Sequence, residues 1–305
     1  MNLLFCVNGG YTGPLLDCLD SIVLHGGEKH YDVYLLSSDL AEETQQQLCR
    51  QVPAAVALHF ISVPRELFED FPETDRYPQE IYYRLAAPLL LPPELDRILY
   101  LDADIVVINP LGPLYRSDFE GNLFMACTHT RELLTRANSH RLGLEKPVPY
   151  INTGVILMEL NGLRQTIDLS AVRQYALEHF DALLLPDQDI LTALYGSRVK
   201  LLDSQRYNLS DRILAFYNAN PLHPHHSLEW VRQNTVIIHY CGRNKPWKPG
   251  YVGILDVFYR ELKEQQTHLH PEKNRYLCKY IFETPVSGRK SDAACGTFAG
   301  KYGKL

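Results

Sequence analysis

Short apolar runs of strand length alternate with helical patterns from the start of this chain. The first three runs cover residues 3–7, 31–36 and 56–63, and the segments between them repeat apolar residues at helical spacing. Strands separated by helices of this length favour a mostly parallel sheet with helices on its faces. The pattern therefore predicts an α/β fold with a Rossmann-like N-terminal half.

Local signals predict where further elements begin and end. Thr12 is a candidate N-cap for the first helix, and the spacing of Asp39 and Glu42 resembles a capping box for the second. Later helices are predicted at residues 80–91, 169–180 and 187–195. Later strands are predicted at residues 97–101, 123–127, 150–158 and 236–241.

The composition is that of a folded protein without the charge of a general nucleic-acid binder. Of the 305 residues, 46% are hydrophobic and 22% are charged, which excludes a disordered chain, a collagen or a coiled coil. The 30 Lys and Arg residues face 36 Asp and Glu residues, so the formal net charge is −6. This balance disfavours nucleic acid as a partner and favours small-molecule ligands.

The N-terminus and the cysteines are evidence on the cellular location of the protein. The first residues carry no basic start of a signal peptide, and no apolar run approaches the ~20 residues that span a bilayer. The seven cysteines are widely spaced without a C-x-x-C motif, which predicts neither a disulfide framework nor a zinc site. We expect a cytoplasmic protein.

Two aspartates follow the apolar run at residues 97–101. On an extended segment the side chains of Asp102 and Asp104 would point to the same side, at the sheet edge where α/β folds bind ligands. Two such charges need a compensating cation, and their oxygens suit Mg²⁺ or Mn²⁺. Asp also serves in caps and turns, so a structural role for the pair stays open.

A second candidate is the apolar run at residues 236–241, which delivers His239 ahead of Gly242 and Lys245. Histidine is a ligand for transition metals and would favour Mn²⁺ over Mg²⁺, although a lone histidine of this kind is more often a hydrogen-bonded core residue. Gly242 would let the backbone approach a ligand closely, and Lys245 offers a point charge for phosphate. A solvated surface charge is the other interpretation of Lys245.

Two further clusters carry hydrogen-bonding groups. Asp187-Gln188-Asp189 opens a predicted helix and offers groups suited to sugar hydroxyls or to capping. Asn152 and Gly154 interrupt a predicted strand, which is unfavourable unless a ligand approaches there. Arg84 precedes the Asp102 strand and could pair with a phosphate or with a surface acid.

Taken together, these segments resemble glycosyltransferase family 8. This family comprises retaining, metal-dependent nucleotide-sugar transferases that include bacterial lipopolysaccharide galactosyl- and glucosyltransferases and the glycogenins. The resemblance rests on six ordered segments of this chain: Phe5-Cys6-Val7-Asn8, Tyr82-Tyr83-Arg84-Leu85, Tyr100-Leu101-Asp102-Ala103-Asp104, Tyr150-Ile151-Asn152-Thr153-Gly154-Val155, Asp187-Gln188-Asp189-Ile190-Leu191, and His239-Tyr240-Cys241-Gly242 with Lys245-Pro246-Trp247.

The resemblance implies a GT-A fold with a mostly parallel, mixed central sheet and a manganese ion, or alternatively magnesium. It implies Asp102, Asp104 and His239 as metal ligands and UDP-galactose or UDP-glucose as donor, and it makes Gln188 and Asp187 the catalytic residues. Front-face attack by the acceptor hydroxyl is favoured because an amide is a poor nucleophile. The donor-binding residues implied are Cys6, Asn8, Tyr11, Arg84, Asp102, Ala103, Asn152, Asp187, Gln188, Gly242 and Lys245.

The chain departs from the family pattern at two places. Asn8 stands where relatives often have an acid, and His129 stands where they have an acid near the acceptor. We expect a glycan or glycolipid acceptor of the lipopolysaccharide type, a catalytic domain at residues 1–253, and a C-terminal helix and tail at residues 254–305. The tail could contact a membrane through Tyr276, Tyr280, Phe282, Arg289 and Lys290.

Two other functions fit parts of the sequence. In a haloacid-dehalogenase-type phosphatase, Asp102 would be the covalent nucleophile and Asp104 the general acid. In such phosphatases the motif that contains these two aspartates normally follows an early strand, whereas several strands and helices precede Asp102 here. The 19 tyrosines also leave room for a glycogenin-like primer that glucosylates itself.

Overall fold

A mixed sheet forms the centre of the computed structural model, which describes residues 1–72, 79–130, 132–269 and 279–280. The strands are β1 (Asn2–Cys6), β2 (Tyr31–Ser37), β3 (Val56–Ser62), β4 (Arg97–Leu101), β5 (Ile105–Val107), β6 (Phe124–Thr128), β7 (Ile151–Glu159), β8 (Val199–Leu202), β9 (Ile237–His239) and β10 (Lys279–Tyr280). The helices are α1 (Thr12–His25), α2 (Glu42–Gln51), α3 (Tyr83–Leu90), α4 (Gly112–Tyr115), α5 (Glu132–Arg141), α6 (Leu160–Thr166), α7 (Leu169–Glu178), α8 (Pro186–Tyr195), α9 (Ser204–Tyr207), α10 (Asp211–Asn218), α11 (Leu228–Asn234) and α12 (Asp256–Leu269).

The strand order brings the ends of β1 and β4 together. Across the main sheet the order is β10-β3-β2-β1-β4-β7-β6-β8. β1 pairs in parallel with both β2 and β4, and β7 runs antiparallel between β4 and β6. A separate antiparallel pair joins β5 to β9. The predicted mostly parallel, mixed sheet is confirmed. The C-terminal ends of β1 and β4 lie side by side at the same edge of this sheet.

Alternation along the strands divides the core between the two faces of the sheet. Ile98 and Tyr100 pack with residues of α3, α6 and α8, whereas Leu99 and Leu101 pack with residues of α1 and α4. Because successive strand side chains point to opposite faces, a strand buried on both faces becomes a continuous apolar run. This explains why the run at residues 97–101 coincides with β4.

Three local expectations are wrong. α1 begins at Thr12, but its N-cap is Tyr11, and the Thr12 hydroxyl donates to the Gly9 carbonyl. The predicted capping box at the start of α2 is absent, because the N-cap position is taken by Ala41, whose side chain cannot accept a hydrogen bond. The Asp39 carboxylate instead accepts a hydrogen bond from the Ser37 hydroxyl. α7 ends before Phe180, which is 44% exposed rather than buried on the helix face.

The helix predicted after residue 253 packs onto α1. Phe258 and Leu262 of α12 join an apolar cluster with Ile238 of β9, and Lys263 and Gln266 contact the Asp17 carboxylate of α1. The division into domains at residues 1–253 and 254–305 stays a prediction. Among the tail residues expected to meet a membrane, Tyr280 lies in β10, and the others (Tyr276, Phe282, Arg289 and Lys290) lie outside the described residues.

Two further observations concern the cysteines and the helices. Cys6, Cys18, Cys127 and Cys241 carry free thiols, whereas Cys49 is disulfide-bonded, which the cysteine spacing did not predict. Across the described ranges, every helix is too short or too polar to cross a membrane.

Candidate active site

Asp102 and Asp104 meet His239 at the junction of the two sheets. The segment from residue 102 to 104 is a turn between β4 and β5, not the extended strand that was expected. The turn still directs both carboxylates to one place, and the pairing of Ile105 with His239 brings the imidazole there from β9. One ligand atom from each of the three side chains lies within 4.8 Å of the others.

Gly154 leaves room for this cluster. A Cβ atom at Gly154 would lie 2.2 Å from Cε1 of His239 and 2.8 Å from Oδ2 of Asp102. The Gly154 carbonyl also accepts a hydrogen bond from the Asp102 amide at 2.8 Å, so β7 holds the turn in place. The glycine inside the apolar run therefore has a local reason, because any side chain would displace the imidazole.

The cluster has the features of a cation site. His239 Nε2 lies 3.1 Å from Asp104 Oδ1 and 3.6 Å from Asp102 Oδ2. Asp104 Oδ1 is buried without a hydrogen-bond partner, an arrangement that costs free energy unless an ion binds. Burial raises the pKa of the Asp104 carboxyl, whereas the Lys245 ammonium group in contact with it lowers that pKa. Two carboxylates with one imidazole fit a divalent metal such as manganese.

Arg84 joins the metal cluster to the start of α8. Its Nη1 lies 3.2 Å from Asp102 Oδ1 and 3.3 Å from Asp187 Oδ2, and it donates to the Thr153 carbonyl at 3.0 Å. The Tyr100 hydroxyl donates to the same Asp102 oxygen at 2.6 Å. Removing one partner of such a buried pair typically costs about 3–5 kcal/mol. A substitution of Arg84 would therefore lower stability as well as activity, and the two effects could not be separated.

The three polar residues that open α8 have different surroundings. Asp187 accepts from the Thr153 hydroxyl at 2.7 Å, and burial raises its pKa against the opposing effect of Arg84. Gln188 is nearly buried, and its Oε1 lies 3.4 Å from Asn152 Nδ2. Asp189 is fully buried and binds both Arg141 nitrogens, a hydroxyl and two backbone amides. Asp187 and Gln188 thus face the site, and Asp189 is structural.

Two adjoining cavities share residues Ile81, Arg84, Asp102 and Asp104. The larger, of about 600 Å³, contains the predicted residues Arg84, Asp102, Asp104, Asn152, Asp187, Gln188, His239 and Gly242. The smaller, of about 270 Å³, contains the predicted residues Cys6, Asn8, Tyr11, Arg84, Asp102, Ala103 and Asp104. Burial raises the pKa of the Cys6 thiol to about 12, so this thiol is neutral at ordinary pH.

Lys245 and His129 lie outside the linings of both cavities. Lys245 is buried, and its ammonium group contacts the Asp104 carboxylate and donates to the Tyr240 carbonyl. His129 lines a different cavity and contacts the Asn208 carbonyl at 2.9 Å. A direct contact of Lys245 with a diphosphate stays a prediction.

Three residues near the site were missed by the sequence analysis. Asn208 is fully buried behind His239 and contacts its Nδ1 at 2.9 Å. Asp211 lines the larger cavity and accepts from the amides of Ile254 and Leu255, and Arg212 lines it beside Asp211. Ser210 caps α10, which is a recognisable helix start, but no local pattern relates this segment to His239.

The sequence is similar to those of known glycosyltransferases over most of its length. A model described as glycosyl transferase family 8 matches residues 2–249. The chain is similar to the glycosyltransferase GlyF of Streptococcus pneumoniae serotype 4, with 25% identity over 248 residues; these are 81% of this chain but 57% of that protein, little more than half its length. It is also similar to a lipopolysaccharide 1,2-glucosyltransferase of Escherichia coli (strain K12), with 24% identity over 81% of this chain and 72% of that protein.

A solved structure has the same fold. The galactosyltransferase LgtC, in complex with donor and acceptor sugar analogues, superposes with a TM-score of 0.72 at 24% identity, covering 89% of this chain and 98% of that chain. This likeness confirms the expected GT-A fold. Since the family match extends over most of the sequence, the chain belongs to glycosyl transferase family 8, and the predicted class of enzyme, a glycosyltransferase, is confirmed.

Proposed function

We propose that this glycosyltransferase is a metal-dependent, retaining hexosyltransferase that moves galactose or glucose from UDP to a hydroxyl of a glycan or lipopolysaccharide acceptor. The observation that carries the proposal is the convergence of Asp102, Asp104 and His239 within 4.8 Å, in a cavity that also contains Gln188. The names of the relatives support both hexoses, because one is a glucosyltransferase and another a galactosyltransferase.

Asp102, Asp104 and His239 would hold the divalent ion. The imidazole nitrogen favours Mn²⁺, and Mg²⁺ is the alternative because two of the three ligand atoms are oxygens. When bound, such an ion offsets the negative charge of a departing diphosphate. The buried Lys245 adds positive charge beside the Asp104 carboxylate. Gly242, with φ of 87°, would let the backbone approach the diphosphate closely.

The smaller cavity would receive the nucleoside. Tyr11 presents a half-exposed ring there, and Asn8 offers its amide nitrogen because its oxygen already accepts from Gly10. Cys6 and Ala103 also line this cavity. An aromatic face and one amide are consistent with a uracil base.

The larger cavity supports front-face attack rather than a covalent enzyme intermediate. Each described carboxylate in its lining is already engaged. Asp102 and Asp187 bind Arg84, Asp104 contacts Lys245, and Asp211 accepts two backbone amides. The acceptor hydroxyl would attack from the side of the leaving diphosphate, which takes its proton. Gln188 would stabilise the positive charge that develops on the sugar.

The family membership and the contacts of Asp102 argue against the phosphatase alternative. Asp102 Oδ1 accepts from the Tyr100 hydroxyl at 2.6 Å and pairs with Arg84, and Oδ2 faces His239, an arrangement that suits a metal ligand better than a covalent nucleophile. Release of phosphate from simple phosphate esters would contradict this conclusion.

The proposal is tested by measuring UDP release from UDP-galactose and UDP-glucose, with Mn²⁺, with Mg²⁺ and after chelation. We expect turnover only with a divalent ion and a sugar acceptor. Intact-mass measurement in the same reactions detects self-glucosylation, because hexose increments on the chain without an acceptor would indicate the primer alternative.

Asp104→Ala should abolish this turnover, with a loss of about 10³-fold or more, because several kcal/mol of charge stabilisation depend on the ion. Asp181→Ala, on an exposed turn, is the matched control and should retain activity. Turnover at the wild-type rate in Asp104→Ala would refute the metal role.

We propose a cytoplasmic location with peripheral contact at the inner membrane face. The basic and aromatic residues of the C-terminal tail are the basis for this contact. Sedimentation with anionic vesicles should retain the full chain better than a chain ending at residue 269, which keeps α12. Equal sedimentation of both would contradict the membrane contact.

A further inference from the structure

A chain of side-chain amides lies behind the metal cluster, and its start is set by the backbone. Asn152 Oδ1 accepts from the Gly154 amide at 3.1 Å and from Asn208 Nδ2 at 2.8 Å. Because a backbone N–H can only donate, the atom of Asn152 that it meets must be the oxygen. The orientation of the Asn152 amide is therefore determined by β7.

The orientation of Asn208 follows from that of Asn152. The atom of Asn208 that faces an oxygen must be its nitrogen, so its Oδ1 faces the other way, 2.9 Å from His239 Nδ1. An amide oxygen accepts and cannot donate, so a neutral His239 carries its proton on Nδ1. Asn208 is fully buried, which excludes water as a competing partner.

This tautomer has a consequence on the opposite side of the ring. With the proton on Nδ1, Nε2 carries a lone pair that faces Asp104 Oδ1 at 3.1 Å. The same carboxylate oxygen is buried without a hydrogen bond, as expected where the neighbouring nitrogen has no proton to donate. With Asp102 Oδ2, 3.6 Å from Nε2, three acceptor atoms thus lie close together, which suits a cation.

We propose that Asn208 is a positioning residue, which holds His239 in the tautomer that leaves Nε2 free for a divalent cation and, through Asn152, orients the amide of Gln188. The last step rests on the 3.4 Å contact between Asn152 Nδ2 and Gln188 Oε1. The inference rests on the metal role proposed above. The amides of Asn152 and Asn208 would thereby orient both His239 and Gln188.

Two substitutions separate these effects. Asn208→Ala removes both contacts and should weaken Mn²⁺ binding about 10–100-fold, as loss of a partner behind a metal ligand typically does. Asn208→Asp keeps an acceptor for Nδ1 but loses the donor to Asn152. This variant should retain most of the Mn²⁺ affinity while kcat falls, because Gln188 is no longer oriented.

Titration calorimetry with Mn²⁺, with and without UDP, measures the affinity, and circular dichroism verifies that each variant is folded. Asn218→Ala is the matched control. It removes an amide that clamps the backbone of His226 away from the cluster, and it should leave Mn²⁺ binding unchanged. Unchanged Mn²⁺ affinity in a folded Asn208→Ala would overturn the inference.

A second measurement needs neither metal nor turnover. Nitrogen-15 NMR of histidine-labelled, metal-free protein at pH 8, assigned with His239→Gln, should show His239 protonated on Nδ1, and Asn208→Ala should lose this preference. Protonation on Nε2 in the wild type would refute the inference. If the wild type binds no Mn²⁺, the metal role in the proposed function fails, and the tautomer still decides the role of Asn208.

Discussion

The two adjoining cavities hold their side chains in different ways. In the larger cavity the polar side chains are largely buried and bonded to one another, as with Asp187, which meets both Thr153 and Arg84. In the smaller cavity the Tyr11 ring is 45% exposed, and Asn8 accepts a hydrogen bond from Gly10 in its own loop. Under the proposed function, the reacting end of the site would be organised before substrate binds, whereas the nucleoside end would adjust to its ligand.

After Asp104→Ala, the largest effect is expected for Gln188→Ala. Removing a group that stabilises developing charge typically lowers kcat by about 10²–10³-fold, and KM for the donor should change little. Steady-state kinetics with saturating Mn²⁺ measure this, and Gln174→Ala on the exposed face of α7 is the matched control. A rise in KM alone would show that the larger cavity only binds substrate.

Gly154→Ala should be the next most damaging change. Its Cβ would lie 2.2 Å from the His239 ring, so the imidazole must move, and displacement by about 1 Å can cost about 10²-fold in turnover. Gly13→Ala in α1 is the control because its Cβ meets nothing within 4 Å. Turnover and Mn²⁺ affinity are measured together. Normal values in Gly154→Ala would mean that the cluster is not rigid.

The partly buried His129 should also make stability depend on pH. Burial, together with the nearby charge of Arg212, lowers the pKa of His129 to about 4 from its ordinary 6.5. Between these values the unfolded chain binds a proton that the folded chain does not, so stability is lost as pH falls. From pH 7 to pH 5 the loss should be about 2 kcal/mol.

Urea denaturation at both pH values measures this loss. His129→Gln should lose less stability over the interval than the wild type, and His225→Gln, at an exposed histidine, should behave like the wild type. The same loss in His129→Gln as in the wild type would show that His129 is not the group responsible.

The smallest effect is expected for Tyr11→Ala in the smaller cavity. Loss of a half-exposed stacking ring should cost about 1 kcal/mol, which raises KM for the UDP-sugar about fivefold and leaves kcat unchanged. Phe180→Ala, at a ring of similar exposure outside both cavities, is the control. A fall in kcat instead of a rise in KM would contradict the distinction between the two cavities.

Much of the fold and part of the site could be predicted from local patterns. The run at residues 97–101 matches β4 because a strand buried on both faces is apolar at every position. Asp102 and Asp104 were expected to converge, and they do, although a turn rather than an extended segment brings them together. The predicted capping box at Asp39 was wrong, because α2 begins after Ala41 and the Asp39 carboxylate accepts a hydrogen bond from Ser37.

The segment around Asn208 illustrates what local patterns miss. It follows α9, a helix of four residues, and precedes α10, a helix of eight residues, so no long periodic stretch reveals its burial. Asn is common in turns, and nothing nearby in the chain indicates that its partner is a histidine 31 residues away. Such a contact depends on how the two sheets meet.

The sequence by itself determined the alternating elements, the paired aspartates and the apolar strand that ends in His239, because each depends on neighbouring residues. The tertiary structure alone decided the contact between His239 and Asn208, the burial of Lys245 against Asp104 and the space that Gly154 leaves. These depend on atoms that are far apart in the chain. Their distances are set only when β5 pairs with β9 and β4 pairs with β7.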